Sequence, residues 1–225
     1  MSYLPINVDL TGRTCLVVGG GEVGRRKVES LLACGAAVTL VSRDLTPDLD
    51  RLVAEGQVER LGAEFESSHL NGAALVFAAT DDPGLNARVS AEARSRGLWV
   101  NVADQPNLCT FIVPASVRRG NLTISVSTAG RSPALAARIR ARIENEFGEE
   151  YGRFLEILGR LRPMIKAAGR SSDENKIVFQ RLVDSGLPAA LAGGDLDQTE
   201  AVLAEIVGPE MAKAALVSGP SPEKE

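Results

Sequence analysis

The 225-residue chain is poor in aromatic residues, at 4%, and has one histidine, His69. Without a second histidine there is no metal-binding pair, and His69, in a polar stretch before Leu70 and Asn71, reads as a surface loop residue. The three cysteines, Cys15, Cys34 and Cys109, lack metal-ligand spacing and are odd in number. That fits thiols kept reduced inside a cell, with Cys15 and Cys34 as small buried apolar residues. No segment approaches 18 uninterrupted apolar residues, and MSYLPINVDL lacks the basic region and apolar core of a signal peptide. No membrane span is expected, and the cytoplasm is the expected location. Leu155 follows Tyr151 by four and Asn7 follows Tyr3 by four, so the Tyr-x-x-x-Lys pair of short-chain dehydrogenases is missing. Neither G-x-S-x-G nor a Walker lysine motif occurs, which leaves serine-triad hydrolysis and P-loop phosphate transfer without support.

A formal net charge of -4 argues against general nucleic-acid binding, yet the charge is unevenly spread. Between Pro114 and Ile143 stand Arg118, Arg119, Arg131, Arg138, Arg140 and Arg142 with no acidic residue among them. Two readings stand: a solvated helix face, since Arg140 and Glu144 are spaced i,i+4, or a local patch for a polyanionic substrate.

At 44% apolar and 24% charged, the chain is long enough for one sizeable domain with an appendage or for two modest ones. Its most informative stretch is CLVVGGGEVGRRK, from Cys15 to Lys27. Gly19, Gly21 and Gly24 fit G-x-G-x-x-G, whose glycines permit a tight turn, close approach of backbone to a pyrophosphate, and close packing of helix on strand. The following helix N-terminus adds free N–H donors and a favourable dipole. Thr14–Val18 reads as a strand, Arg25–Ala33 as a helix and Ala36–Val41 as a second strand, which completes a βαβ unit. A dinucleotide is the leading expectation, with a nucleotide-free turn or another adenine-containing ligand as alternatives.

The alternation continues through strands at Val58–Leu61, Leu75–Ala79 and Leu98–Val102 and a helix at Asn86–Arg96, which predicts an α/β fold with a doubly wound parallel sheet of Rossmann type. Loops at Gly19–Gly24, Thr80–Pro83 and Ala103–Pro106 leave the carboxyl ends of strands, where such sheets bind ligands. Thr80, Asp81, Asp82, Asn101 and Asp104 are therefore site candidates, although Asp81 or Asp82 also suits a cap for the helix after Pro83. Beyond Pro106, Cys109–Val113 and Leu122–Val126 read as antiparallel strands joined by a turn at Arg119–Asn121. Ser132 and Pro133 then open a helix running to about Phe147. Its Leu135, Ile139 and Ile143 form a stripe for which core packing is expected. Helical pieces follow at Glu150–Ile165, Ile177–Ser185 and Thr199–Val207, with a turn at Gly193–Asp195. Ser218–Glu225 is too polar to order itself.

Six ordered segments together resemble the dehydrogenase and chelatase part of sirohaem synthase, also found as a free-standing precorrin-2 dehydrogenase. They are Leu4-Pro5-Ile6, VVGGGEVGRRK at 17–27, AATDDPGLN at 78–86, VNVADQP at 100–106, FIVPA at 111–115 and STAGRSPALA at 127–136. The resemblance implies NAD-dependent oxidation of precorrin-2 to sirohydrochlorin, in many members followed by ferrous-iron insertion, in a homodimer whose active site lies between nucleotide domain and dimerisation region. The resemblance spans roughly Leu4 to Phe147 and implies a Rossmann domain over 1–113 and a small α+β dimerisation region over 114–148; helical spacing and composition add a helical domain over 149–217 and a disordered tail over 218–225.

By the same resemblance, Asp104 is the catalytic residue for both activities, a base for the proton that leaves with hydride loss and a transient oxygen ligand for iron. Gly19, Gly21, Glu22, Val23, Gly24, Arg43, Asp44 and Thr80 are expected at the cofactor, with Gly24 standing where alanine is more usual. The tetrapyrrole substrate carries eight carboxylates, which gives the arginine patch a purpose; Asn101, Thr128, Gly130, Arg131, Ser132 and Arg138 are expected to hold it. Backbone N–H groups around Thr128–Ser132 could receive a carboxylate. Ser42 and Arg43 could suit the 2′-phosphate of NADP, and Asp44, 20 positions after Gly24, could reach a ribose. The family preference decides for NAD. A nucleotide-sensing module without catalysis and a dehydrogenase of another small substrate are the alternatives from other classes.

Overall fold

The computed structural model describes residues 3–217, so the expected disordered tail at 218–225 lies outside the described residues. The chain divides into two compact units, Met1–Val113 and Pro114–Glu225.

In the first unit, strands β1 (Thr14–Val18), β2 (Ala37–Val41), β3 (Val58–Gly62), β4 (Leu75–Ala78) and β5 (Trp99–Val102) form a parallel sheet in the order β3-β2-β1-β4-β5. Helices α1 (Glu22–Leu32), α2 (Pro47–Ala54) and α3 (Pro83–Ser95) connect them. The central strands bury both faces, so CLVV of β1 and LVFA of β4 are unbroken apolar runs where an exposed sheet would alternate. Fully burying a side chain such as Leu16 or Val17 stabilises the fold by about 1.5–3 kcal/mol.

Registers align Leu40, Val17, Phe77 and Asn101 in one row across the sheet. The first three belong to one core with Val28 and Leu31 of α1. The neighbouring row, Val41, Val18, Ala78 and Val102, joins Val89 and Ala93 of α3 on the opposite face.

The helices begin earlier than apolar spacing predicts, because polar capping residues precede the periodic ones. Asp82 accepts N–H bonds from Gly84 and Leu85, so α3 opens at Pro83, three residues before Asn86. α1 opens at Glu22 for a different reason: the glycine turn itself is its N-cap. The sequence reading missed α2, whose eight residues bury only Leu49, although Thr46 and Pro47 form a start signal. His69 sits in a one-turn 3₁₀ helix, Ser67–Leu70, where its Nδ1 accepts the Glu66 N–H at 3.1 Å.

No strand forms at Cys109–Val113. Thr110 and Cys109 occupy the outer edge of β5 with side chains as well as backbone: Val100 N–H donates to Thr110 Oγ1 (2.8 Å), Thr110 N–H to the Val100 carbonyl (2.8 Å), and Val102 N–H to Cys109 Sγ (3.1 Å). Hydroxyl and thiol replace two ladder carbonyls, which blunts the sheet edge without extending it.

In the second unit the hairpin lies after Pro114: β6 (Ala115–Arg119) pairs antiparallel with β7 (Leu122–Val126). The helices α4 (Pro133–Glu146), α5 (Glu150–Ala167), α6 (Ser172–Val183), α7 (Leu187–Gly193), α8 (Leu196–Val207) and α9 (Pro209–Leu216) follow. Phe154, Ile157, Leu161 and Ile165 of α5 recur at helical spacing and bury against Leu182, Leu187 and Leu203. The tip of the hairpin rests on α5, where a Cβ at Gly152 would stand 3.1 Å from the Arg119 carbonyl carbon. The α4 stripe does not pack into this core. Leu135 is 49% exposed and Ile139 and Ile143 are half-buried, because α4 buries only Ala136. The helical core has its own apolar lining from α5 and the helices after it, and it leaves the stripe of α4 outside.

Candidate functional site

The parallel strands bring three loops to the carboxyl edge of the sheet. A cleft of about 900 Å³ opens there, walled by the glycine turn, the loop after β2 and the loop after β4. A hollow of about 500 Å³ at the opposite edge, between Thr14, Ala37 and His69, has neither a glycine turn nor a helix N-terminus, so the ligand site belongs to the carboxyl edge.

The turn is held from both sides. Gly19 N–H donates to the Val41 carbonyl at 2.9 Å, and the Gly20 carbonyl accepts the Thr46 N–H at 3.0 Å. Gly19 has φ +115, and a Cβ there would be driven into the Ala79 carbonyl. Gly21 differs: it is the N-cap of α1, no side chain caps that end, and a Cβ on it would meet nothing within 4 Å. Open space before uncapped helix N–H groups is the cradle a pyrophosphate requires. The donors and the volume therefore fit a dinucleotide.

Gly19, Gly21, Glu22, Val23, Arg43, Asp44 and Thr80 all line the cleft. Gly24 does not. It lies buried behind the turn, so close to the Gly19 carbonyl that an alanine would require the turn to shift. Thr80 is locked by buried Asn86, whose Oδ1 accepts from Thr80 N–H (3.2 Å) and Thr80 Oγ1 (2.8 Å), and whose Nδ2 donates to the Thr80 carbonyl (2.9 Å). Leu45, Thr46, Glu64, Phe65 and Arg88 also line the cleft and escaped the sequence reading. Thr46 is the one of these with a local signal, its capping position. Arg88 reaches the site only because α3 turns it over the Phe65 ring, 5.3 Å away.

At the tip of β2, Ser42 Oγ donates to the Asp44 carbonyl at 2.8 Å, and Arg60 donates to the carbonyls of Ser42 and Arg43. The Arg43 guanidinium pairs with Glu64 at 2.9 Å.

Asp104 stands on the loop after β5, exposed, with φ +56. A non-glycine residue in the left-handed region is uncommon, and aspartate tolerates it better than most. Cys109 holds this loop, as its Sγ accepts the Val102 N–H and lies 3.3 Å from the Val102 carbonyl and 3.4 Å from that of Gln105. The Asn101 amide is turned inward, donating to the Phe111 carbonyl at 3.1 Å.

In the second unit, Thr128 and Ser132 close a turn on themselves. Thr128 Oγ1 donates to the Ser132 carbonyl (3.1 Å) and accepts the Ser132 N–H (3.2 Å), and Ser132 Oγ caps α4 through Leu135 N–H. Arg131 N–H donates to the Thr128 carbonyl and Ala129 N–H to Ser127 Oγ. The N–H groups expected to receive a carboxylate are mostly spent inside the turn, with Gly130 at φ +78 shaping it. Of the arginines, Arg119 is structural, bonded to the carbonyls of Phe147 and Glu144 and paired with Glu149; Arg140 pairs with Glu144. Arg131, Arg138 and Arg142 are exposed and without ion-pair partners among the described residues.

The NAD(P)-binding family model NAD_binding_7 matches residues 6–115, and the model Sirohaem biosynthesis protein central matches residues 119–146. The chain belongs to the family of the N-terminal part of sirohaem synthase. It is 44% identical over 180 residues to siroheme synthase of Methylobacillus flagellatus, covering 80% of this chain and 38% of that protein. It is 40% identical over 207 residues to siroheme synthase of Pseudomonas entomophila, covering 92% and 45%. The chain thus spans less than half the length of these relatives. The fold superposes on SirC, precorrin-2 dehydrogenase, with a TM-score of 0.75 and 26% identity over 91% of this chain and 98% of that one. Among the described residues, no helix is long and apolar enough to cross a membrane.

Proposed function

We propose that this chain oxidises precorrin-2 to sirohydrochlorin, removing one hydride and one proton, with NAD taking the hydride. The reading is supported most by the carboxyl edge of one sheet carrying both a cleft that fits a dinucleotide and, on the loop after β5, an unpartnered carboxylate held in the left-handed region. Bound NAD supplies the hydride acceptor.

This chain's own residues do the rest. The uncapped N-terminus of α1 receives the pyrophosphate, and Asn86 fixes the Thr80 loop opposite it. Asp104 accepts the proton released as the macrocycle is oxidised. Arg131 and Arg138 are the exposed cations for substrate carboxylates. Asn101 and Thr128, whose polar groups are occupied within the chain, serve by shaping their loops.

NAD is favoured over NADP by the charge of the cleft. Glu22, Asp44, Glu64, Asp81 and Asp82 line it, against Arg43 and Arg88, and both arginines already pair with acids. A 2′-phosphate would enter a field of its own sign. The apolar stripe of α4 gives a homodimer its contact surface. Ferrous iron is a separate substrate in this reading: among the described residues no cluster of three or more histidine, cysteine or acidic side chains could hold a metal, and Asp104 alone would meet it.

Anaerobic incubation of the purified protein with precorrin-2 and NAD or NADP tests the proposal. Sirohydrochlorin should form rapidly with NAD and slowly with NADP, and ferrous iron added afterwards shows whether insertion follows. Failure to oxidise with either cofactor removes the reading.

A further inference from the structure

Three consecutive cations open the second turn of α1, and two are accounted for. Arg25 pairs with Glu22 at 2.9 Å and with Glu29 at 2.5 Å, while Arg26 donates to the Glu22 carbonyl. Lys27 is not paired. Its side chain is half-buried, and among the described residues its ammonium has no hydrogen-bond or ion-pair acceptor, only the face of Phe77, 5.6 Å from the ring centroid.

The position of that ring gives the ammonium its direction. Phe77 is the third member of the row Leu40, Val17, Phe77, Asn101, and Asn101 precedes Asp104 by three residues on the same strand and loop. Phe111 packs edge-on against Phe77 at 5.5 Å and receives the Asn101 amide on its carbonyl. Lys27 therefore leans from α1 toward the β4–β5 border, on the side where the Asp104 loop leaves the sheet. Burial pulls its pKa below the ordinary lysine range; Arg26 adds to the fall, and Cys109 and Asp104 oppose it. A surface lysine with a free choice of rotamer would carry its head into water. Keeping a partly desolvated ammonium without an anion is unfavourable unless an anion arrives from outside.

We propose that Lys27 is a carboxylate-binding residue for the tetrapyrrole substrate, seating one acidic side chain of the macrocycle beside Asp104. The inference rests on the precorrin-2 reading for the identity of the anion. A cation on a ring face suits this task, because the aromatic surface holds the ammonium in place without consuming its donors. When the carboxylate enters, the three N–H donors become charge-assisted hydrogen bonds in a site shielded by Phe77 and Phe111.

The test compares wild type with Lys27→Met, which keeps the stem and removes the charge, and with Lys27→Arg. Sirohydrochlorin binding to the NAD-loaded protein is titrated by fluorescence, and NAD binding by calorimetry. Lys27→Met should weaken sirohydrochlorin binding about ten- to hundredfold, the loss of one charge-assisted bond, and leave NAD binding within twofold. Lys27→Arg should restore most of it. Equal sirohydrochlorin affinity in wild type and Lys27→Met overturns the inference, as does a matching loss of NAD affinity. Should Lys27→Met fail to fold, Lys27→Gln, which keeps a polar head and removes the charge, replaces it. Weakened sirohydrochlorin binding by Lys27→Gln with NAD binding intact supports the inference, and undiminished sirohydrochlorin binding overturns it. Because binding is read apart from turnover, a wild type that binds sirohydrochlorin but oxidises nothing refutes the proposed activity without deciding Lys27.

Discussion

The thiol of Cys109 accepts the N–H of Val102 at 3.1 Å and so closes the loop on which Asp104 stands. The same sulfur lies within reach of the Val102 and Gln105 carbonyls, which flank Asp104 on both sides. A residue at φ +56 persists only when its surroundings hold it there, and Cys109 does so together with the backbone bonds from Ala103 N–H to the Ala78 carbonyl and from Gln105 N–H to the Val102 carbonyl.

Cys109→Ala removes the acceptor without adding bulk, leaving the Val102 N–H unsatisfied at a cost of about 1–3 kcal/mol. The expected result is a lower Tm together with a fall in kcat at unchanged KM for NAD. Cys109→Ser, whose hydroxyl can accept the same N–H, should recover part of both. A lowered Tm with kcat intact would confine Cys109 to stability.

Gly19 and Gly21 separate folding from cofactor binding. Gly21→Val places a side chain in the open space before α1, where no protein atom lies within 4 Å, and should abolish NAD binding in calorimetry with Tm nearly unchanged. Gly19→Ala strains a backbone at φ +115 and presses on Ala79, and should lower Tm as well. Equal thermal stability of the two variants would contradict this division.

Lys27 makes stability depend on pH in a defined direction. Its folded pKa lies below its unfolded one, so in the window between them the unfolded chain binds more protons and stability rises with pH. The window ends near the ordinary lysine value of about 10.4. Relative to Lys27→Met, which cannot titrate, wild type should gain Tm as pH is raised through the upper part of that range. Arg26, Cys109 and Asp104, the groups that act on Lys27, are present in both proteins, so the difference between the two curves follows Lys27.

Exposure of the α4 stripe predicts an interface. Leu135→Glu combined with Ile143→Glu places two charges on a face that the described chain leaves uncovered. Sedimentation should shift from dimer to monomer while circular dichroism stays unchanged. A wild type that already sediments as a monomer would remove the stripe from this role.

Much of the first unit is legible in the sequence because parallel strands buried on both faces write themselves as apolar runs, and because Gly19–Gly24 and Asp82-Pro83 mark turns with few physical alternatives. Ser132-Pro133 works the same way for α4. What was hidden depends on register. Nothing near Lys27 in the chain announces Phe77, 50 positions away, and Asn86 reads as one more helix residue until α3 turns its amide onto Thr80. Cys109–Val113 misled for a related reason: its β-like composition serves an edge satisfied by a thiol and a hydroxyl. The Thr128–Ser132 turn offered donors on paper that its own closure consumes.

The most direct measurement is a single turnover of wild type and Asp104→Asn with precorrin-2 and NAD, following NADH and sirohydrochlorin together. Asparagine tolerates the left-handed backbone that Asp104 adopts, so the variant retains the loop and loses only the base. Wild type should release one NADH for each sirohydrochlorin formed. Asp104→Asn should bind NAD as tightly and form neither product at a comparable rate. Undiminished turnover by Asp104→Asn, or sirohydrochlorin formed by wild type without NADH, would contradict the account.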